Sequence, residues 1–179
     1  FIDSDRKATH FIQLANKSNT PLLFIHNTTG FMVGKKHEQN GMINSGSQLI
    51  HAVAGSTVPH ISLQIGNSYG AGNYAMCGRS FNPRFLFSYP NSKSGVMGAD
   101  QLAGVMEIVK RRSAQSLNKE IDEKLLQEEK IKLADQADKK ASVWHTTSEV
   151  WDDGVIDPRE TRKYLSLSLA AVYNSEIKG

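Results

Sequence analysis

The sequence predicts an α/β protein built on a parallel sheet. Three observations carry that expectation. Apolar residues alternate over 61–65 and stop at a glycine turn that opens into small, helix-ready residues. An apolar run over 22–26 comes earlier, with an amphipathic stretch over 41–54 between the two. Strand, helix and strand in that order form a βαβ unit with a right-handed crossover. Finally, 179 residues of ordinary composition suit one domain with its own core.

Each element follows from local chemistry. Asp3 or Ser4 suits a helix cap, and Ala8, Phe11, Ile12 and Ala15 recur at helical spacing, so a helix is expected over 5–17. Asn19-Thr20-Pro21 ends it, and 22–26 reads as a buried strand. A glycine-bounded loop follows over 27–34, then a polar stretch with a solvated Glu38. The helix over 41–54 sets Met42, Ile43, Leu49, Ile50 and Val53 on one face, where Gly46 permits close packing; Gly55-Ser56-Thr57 ends it. The strand over 61–65 stops at Gly66, a turn runs through Gly70-Ala71-Gly72, and a helix starts over 73–77. Both strands deliver their C-terminal ends to one edge. Gly30-Phe31 and Gly70-Ala71-Gly72 should therefore lie side by side, where open α/β sheets hold ligands.

Beyond the turn, a third strand is expected over 85–89, a short one over 96–97 and a helix over 98–109. The charged segment 110–140, with Ile121, Leu125 and Leu126 as sparse apolar anchors, reads as one or two solvated helices. Thr146 or Thr147 would cap a short helix carrying Val150 and Trp151, and Asp152-Asp153-Gly154 would turn. Asp157-Pro158 places a cap and a first-turn proline at the start of the last helix. That helix holds Tyr164, Leu165, Leu167, Leu169, Ala170 and Tyr173.

Bulk properties exclude several function classes. Net charge is +3 with the signs mixed, so no nucleic-acid partner is expected. No apolar run approaches the roughly 18–20 residues that span a bilayer, and no membrane partner is expected. Cys77 is the only cysteine and reads as a small buried hydrophobe. The histidines His10, His26, His37, His51, His60 and His145 form no metal-type pair, so no metal is expected; His60, at a strand start, reads as a core histidine. There is no Gly-x-Ser-x-Gly elbow, Walker motif or Gly-x-Gly-x-x-Gly. What remains is the glycine turn. One reading is a tight strand-to-helix corner built for packing. The other is an oxyanion site made of first-turn amides, which lack internal partners and sit at the positive end of the helix dipole. Such a site suits a reaction that places charge on an oxygen while another molecule supplies the base.

Longer stretches narrow the choice. Asn27-Thr28-Thr29-Gly30-Phe31-Met32-Val33-Gly34, Ser68-Tyr69-Gly70-Ala71-Gly72-Asn73-Tyr74-Ala75-Met76-Cys77-Gly78-Arg79, Pro83-Arg84-Phe85-Leu86, Val96-Met97-Gly98 and Trp151-Asp152-Asp153-Gly154-Val155-Ile156-Asp157-Pro158-Arg159 occur in that order. Together they resemble the carboxyltransferase (β) subunit of biotin-dependent acyl-CoA carboxylases. They are nearest the methylcrotonyl-CoA and geranyl-CoA branch, and they cover only the C-terminal half of that subunit. The resemblance implies a crotonase-like fold, a spiral of ββα units. Residues 1–179 would be a single C-terminal carboxyltransferase domain, a piece of a longer two-domain subunit, with 110–140 a charged helical segment within it.

The resemblance also implies a function. Carboxybiotin, carried covalently on a partner α subunit that holds the biotin carboxylase and carrier, would deliver CO2 to an acyl-CoA such as 3-methylcrotonyl-CoA. Biotin would act as the base, and ATP would be used only by the partner. The Ala71 and Gly72 amides would form one oxyanion hole. Gly30, Phe31 and Gly70 would line the biotin site, and Tyr74 would shape the acyl pocket or simply pack. The assembly would be a hexameric β core, in a bacterial cytoplasm or a mitochondrial matrix. Three alternatives remain: a biotin-dependent decarboxylase, an assembly and biotin-docking piece inactive alone, and a protease of related fold. The protease would want a serine where Ala71, Gly72 and Asn73 stand.

Overall fold

A parallel sheet divides the molecule. In the computed structural model, which describes residues 1–174, its strands are β1 (Leu22–Thr28), β2 (His60–Tyr69), β3 (Phe85–Ser88), β4 (Lys93–Gly95) and β5 (Gly154–Val155). Their order is β1-β2-β3-β5, with β4 as a further partner of β2, and every ladder is parallel. The spine is β2: Ile61 to Gln64 pair with β3, then Asn67 to Tyr69 pair with β4. The helices are α1 (Ile2–Lys17), α2 (Lys35–Gln39), α3 (Met42–Ala54), α4 (Gly70–Ala75), α5 (Ala99–Ser116), α6 (Glu123–Ala141), α7 (Val143–Ser148) and α8 (Thr161–Tyr173).

Two apolar clusters hold these layers. Ile12, Ala15, Leu49 and Val53 from α1 and α3 close on Leu22, Phe24, Val58, Ala75 and Cys77. Leu63, Phe87 and Ile156 form the second cluster, against which Tyr164 of α8 packs. Each large side chain buried this way contributes about 1.5–3 kcal/mol.

The βαβ unit stands as expected, but several boundaries move for identifiable reasons. Gly66 does not end β2. A Cβ there would lie 2.5 Å from Asn27 Oδ1, so this glycine makes room for the β1 side chain. The register of β1 against β2 slips at that level, between His26 and Thr28, and Asn67 N donates to Asn27 Oδ1 at 3.3 Å. Because β2 runs on, it meets Lys93 to Gly95 as β4, and the expected strand at 96–97 is absent; Val96 is exposed. There is also no spacer turn before α4. The chain turns on Gly70 itself, at φ +55°, and the helix begins there rather than at Asn73.

Other corrections concern faces and caps. β1 is an edge strand, buried at Leu22, Phe24 and His26 but exposed at Leu23 and Ile25. Helix α1 starts at Ile2 without a side-chain cap, so Asp3 lies in its first turn, and Phe11 and Leu14 face outward. Ile43 is likewise exposed. Helix α5 continues to Ser116 and then doubles back as α6, capped by Asp122, so 110–140 covers the end of α5, the turn and nearly all of α6 in a helical hairpin. Arg111 bridges Glu107 and Glu123 across it, and Lys130 pairs with Glu107. Such exposed pairs contribute little each. Ser142, not Thr146 or Thr147, caps α7, and Val150 and Trp151 follow the helix. In α8 the inward positions are Tyr164, Ser168 and Val172, while Leu167 and Tyr173 face outward. Asp157 does cap the turn that leads into α8, accepting from Arg159 N at 2.9 Å.

Candidate functional site

The corner where β2 becomes α4 builds the site. Tyr69 holds the N-cap position and supplies no side-chain cap. The first-turn amides at 70–72 therefore have no intrahelical acceptor. Gly70 needs its left-handed conformation, and a Cβ on it would meet the Val96 carbonyl oxygen at 2.9 Å. A cavity of about 590 Å³ opens in front of this corner. Gly70, Ala71 and Tyr74 form one wall, and Val96, Trp151 and Asp152 contribute others. Ligand pockets of small molecules fall in this size range.

Gly72 sits behind the corner and is buried. A Cβ on it would lie 2.9 Å from Gly30 Cα and 3.2 Å from Thr28 Cγ2 and Oγ1. The loop after β1 thus touches the back of α4, and Gly30 N donates to Thr28 Oγ1 at 3.2 Å. The two loops are neighbours, as their parallel strands required. Gly70, Ala71, Gly72, Tyr74 and Gly30 meet at this one corner. Phe31 does not point its ring there: the ring packs over Gly46, whose Cβ position is 3.2 Å from Phe31 Cε1, and joins the first core cluster. Of the expected site residues, Gly70, Ala71 and Tyr74 line the cavity wall, and Gly72, Gly30 and Phe31 do not.

Two successive carboxylates divide their work. Asp152 is buried, and its oxygens accept from Thr147 Oγ1 at 3.0 and 2.9 Å. Asp153 accepts from Leu86 N at 2.7 Å and pairs with Arg79 at 3.5 Å, which ties β5 to β3. Sequence reasoning took 152–154 only as a turn. The signal that could have found Trp151 and Asp152 was their place inside one of the long family-like stretches.

Burial sets the protonation of the groups beneath. The Cys77 thiol is fully buried and pushed up to about 12 by that burial, so it stays protonated beside His60 Nδ1, 3.3 Å away. His60 is lowered by burial and its Nε2 meets Ser56 Oγ at 2.7 Å. His26 is lowered to about 4, again by burial, which outweighs the opposing pull of the Met76 backbone. Among the described residues no group of three or more His, Cys, Asp or Glu is placed to hold a metal ion. No helix among them is long and apolar enough to cross a membrane.

Comparison with known proteins agrees with this geometry. The carboxyl transferase domain family matches residues 1–178. A probable biotin-dependent acyl-coenzyme A carboxylase beta2 subunit of Mycobacterium tuberculosis is 51% identical over 179 residues, all of this chain and 34% of that protein. The mitochondrial methylcrotonoyl-CoA carboxylase beta chain of Dictyostelium discoideum is 42% identical over 177 residues, 99% of this chain and 30% of that one. The crystal structure of the Pseudomonas aeruginosa geranyl-CoA carboxylase beta subunit superposes with a TM-score of 0.91 at 44% identity, covering 100% of this chain and 34% of that one. The chain thus spans about a third of the length of the relatives it matches. A parallel sheet, a helix started on glycine at a cavity and a family match along nearly the whole chain lead to one conclusion: the chain belongs to the carboxyl transferase domain family and has the crotonase-like fold of acyl-CoA carboxylase β subunits.

Proposed function

We propose that this chain is the C-terminal carboxyltransferase domain of a longer β subunit, and that the subunit moves a carboxyl group from carboxybiotin to an acyl-CoA of the methylcrotonyl class. The observation that carries this reading is the uncapped start of α4 at the cavity wall. Its main-chain donors suit an oxygen that gains negative charge, and the apolar walls at Tyr74, Val96 and Trp151 suit a flat ureido ring beside it. When bound, carboxybiotin supplies the activated carboxyl group and a ring nitrogen that can take a proton.

The residues of this chain then have stated tasks. The Ala71 and Gly72 amides hold the oxygen on which charge develops, each such donor being worth about 3–4 kcal/mol of barrier. Gly70 lets the main chain approach that oxygen, since its own Cβ would already press on the Val96 carbonyl. Gly30 backs the donors from behind, and Phe31 fixes its loop by packing over Gly46. Tyr74, half exposed at the cavity, bounds the acyl end. The partner α subunit carries biotin and uses ATP, and the β subunits form a hexameric core. The exposed Phe11, Leu14, Leu23 and Ile25 are the kind of apolar surface that such an assembly or a second domain covers. Relatives come from bacteria and from mitochondria, and the same two compartments are proposed here.

The test is a carboxylation assay of the full β subunit with its biotinylated partner, across methylcrotonyl-, geranyl- and propionyl-CoA. The reading expects transfer, best to the methyl-branched unsaturated acyl group. Transfer to none of the three refutes it.

A further inference from the structure

Helix α4 has six residues and starts on a left-handed glycine, so it cannot hold its own position. Buried polar contacts hold it instead. At its C-terminal end Ser62 Oγ donates to the Cys77 carbonyl at 2.7 Å. At its fourth residue, Asn73 Nδ2 donates to Ser68 Oγ at 2.8 Å, and Ser68 Oγ lies 2.9 Å from His26 Nδ1. His26 and Ser68 are both 0% exposed. Ser68 Oγ has one proton and two acceptor sites, so it accepts from Asn73 and meets His26 Nδ1 as donor or acceptor according to the imidazole tautomer. Burial favours the neutral imidazole. The same imidazole also faces the Met76 backbone just past the end of α4, whose pull opposes that of burial.

The three residues sit on three elements: His26 on β1, Ser68 on β2 and Asn73 on α4. These are the two strands whose ends form the corner, and the helix that starts there. Ser94 Oγ also donates to the Ser68 carbonyl at 3.2 Å, which adds β4 to the same node. Resting on the carboxyltransferase reading above, we infer that His26, Ser68 and Asn73 are positioning residues, an ordered hydrogen-bond chain that sets where the Ala71 and Gly72 amides aim in the cavity. None of the three needs to touch a reacting atom for this.

The test uses the full-length subunit with its biotinylated partner and 3-methylcrotonyl-CoA. Ser68→Ala and Asn73→Ala should each lower kcat roughly 10- to 100-fold, the scale expected when donors shift by up to about 1 Å, with KM for the acyl-CoA nearly unchanged. The double variant should be no worse than the weaker single, because both break one chain. His26→Asn places an amide group where Nδ1 was and should keep most of kcat, whereas His26→Leu should fall with Ser68→Ala. Asn73 is only half-buried, so Asn73→Ala decides the matter should the variants of the two buried residues fail to fold. A folded Asn73→Ala with the wild-type kcat overturns the inference, as do additive losses in the double variant or a lowered melting temperature with kcat intact. If the wild-type subunit transfers and Gly72→Val does not, while Asn73→Ala matches wild type, the positioning role alone falls. If the wild-type subunit transfers nothing, the functional reading falls and this inference with it.

Discussion

Placing one methyl group at position 72 sets two effects against each other. Alanine is favoured over glycine inside a helix by about 1 kcal/mol, which would help α4. Against this, the new Cβ would lie 2.9 Å from Gly30 Cα and 3.2 Å from two atoms of Thr28. Carbon atoms settle near 3.5–4.0 Å, so helix and loop must part by roughly 0.6–1.1 Å. The main obstacle is backbone rather than a movable side-chain tip, and it is held at φ +119° on Gly30. Overpacking of this kind typically costs about 1–3 kcal/mol, so the net loss after the helix gain is about 0–2 kcal/mol, and the fold survives.

Transfer is far more sensitive than folding to the same displacement. A misplacement of about 1 Å can lower a rate roughly 100-fold, and complete loss of an oxyanion donor costs about 3–4 kcal/mol. Gly72→Ala should therefore lower kcat on the order of 100-fold with a modest fall in melting temperature, and the bulkier Gly72→Val should abolish transfer. The measurement is carboxylation at saturating acyl-CoA by the full-length subunit with its biotinylated partner, with thermal unfolding followed in parallel. A Gly72→Ala subunit with the wild-type kcat would refute the assignment of this corner as the donor site.

Three further outcomes test the frame around that corner. Because burial holds His26 at about 4 rather than 6.5, the unfolded chain binds more protons between those values, so stability should fall as pH drops through that window, by up to about 3 kcal/mol; denaturant unfolding from about pH 7 to about pH 4 should show it, and His26→Asn should flatten it. Gly46→Leu should destabilise by about 1–3 kcal/mol in the same assay, because its side chain must displace the Phe31 ring, 3.2 Å from the Cβ position. Asp153→Ala should cost about 1–3 kcal/mol, since Leu86 N, on a residue 1% exposed, loses its 2.7 Å acceptor; Asp153→Asn, which keeps an oxygen, should lose less.

How much of this could be read from residues alone depends on what each signal reports. Chain order and strand spacing report connectivity, so the βαβ unit and the meeting of the Gly30 and Gly72 loops were legible. Glycine reports only that a side chain is unwelcome, not why. Gly46 was rightly read as a packing contact, but Gly66 was read as a stop when its constraint comes from Asn27 on the neighbouring strand. Apolar spacing reports that a face wants cover, not what covers it. Phe11 and Leu14 on α1, Leu167 on α8 and the outer face of β1 are apolar yet exposed. The proposal of a longer, assembled subunit expects this pattern, because one chain segment would carry the apolar face while other segments or copies would supply the cover. The site divides in the same way. Ala71 and its neighbours announce themselves by a local strand-to-helix corner. Trp151 and Asp152 reach the cavity only through the fold, and their neighbour Asp153 sits where it does because it answers Leu86 N. No period or spacing encodes that answer. The long matching stretch around them was the only sequence signal, and it marks their place without stating the physical task.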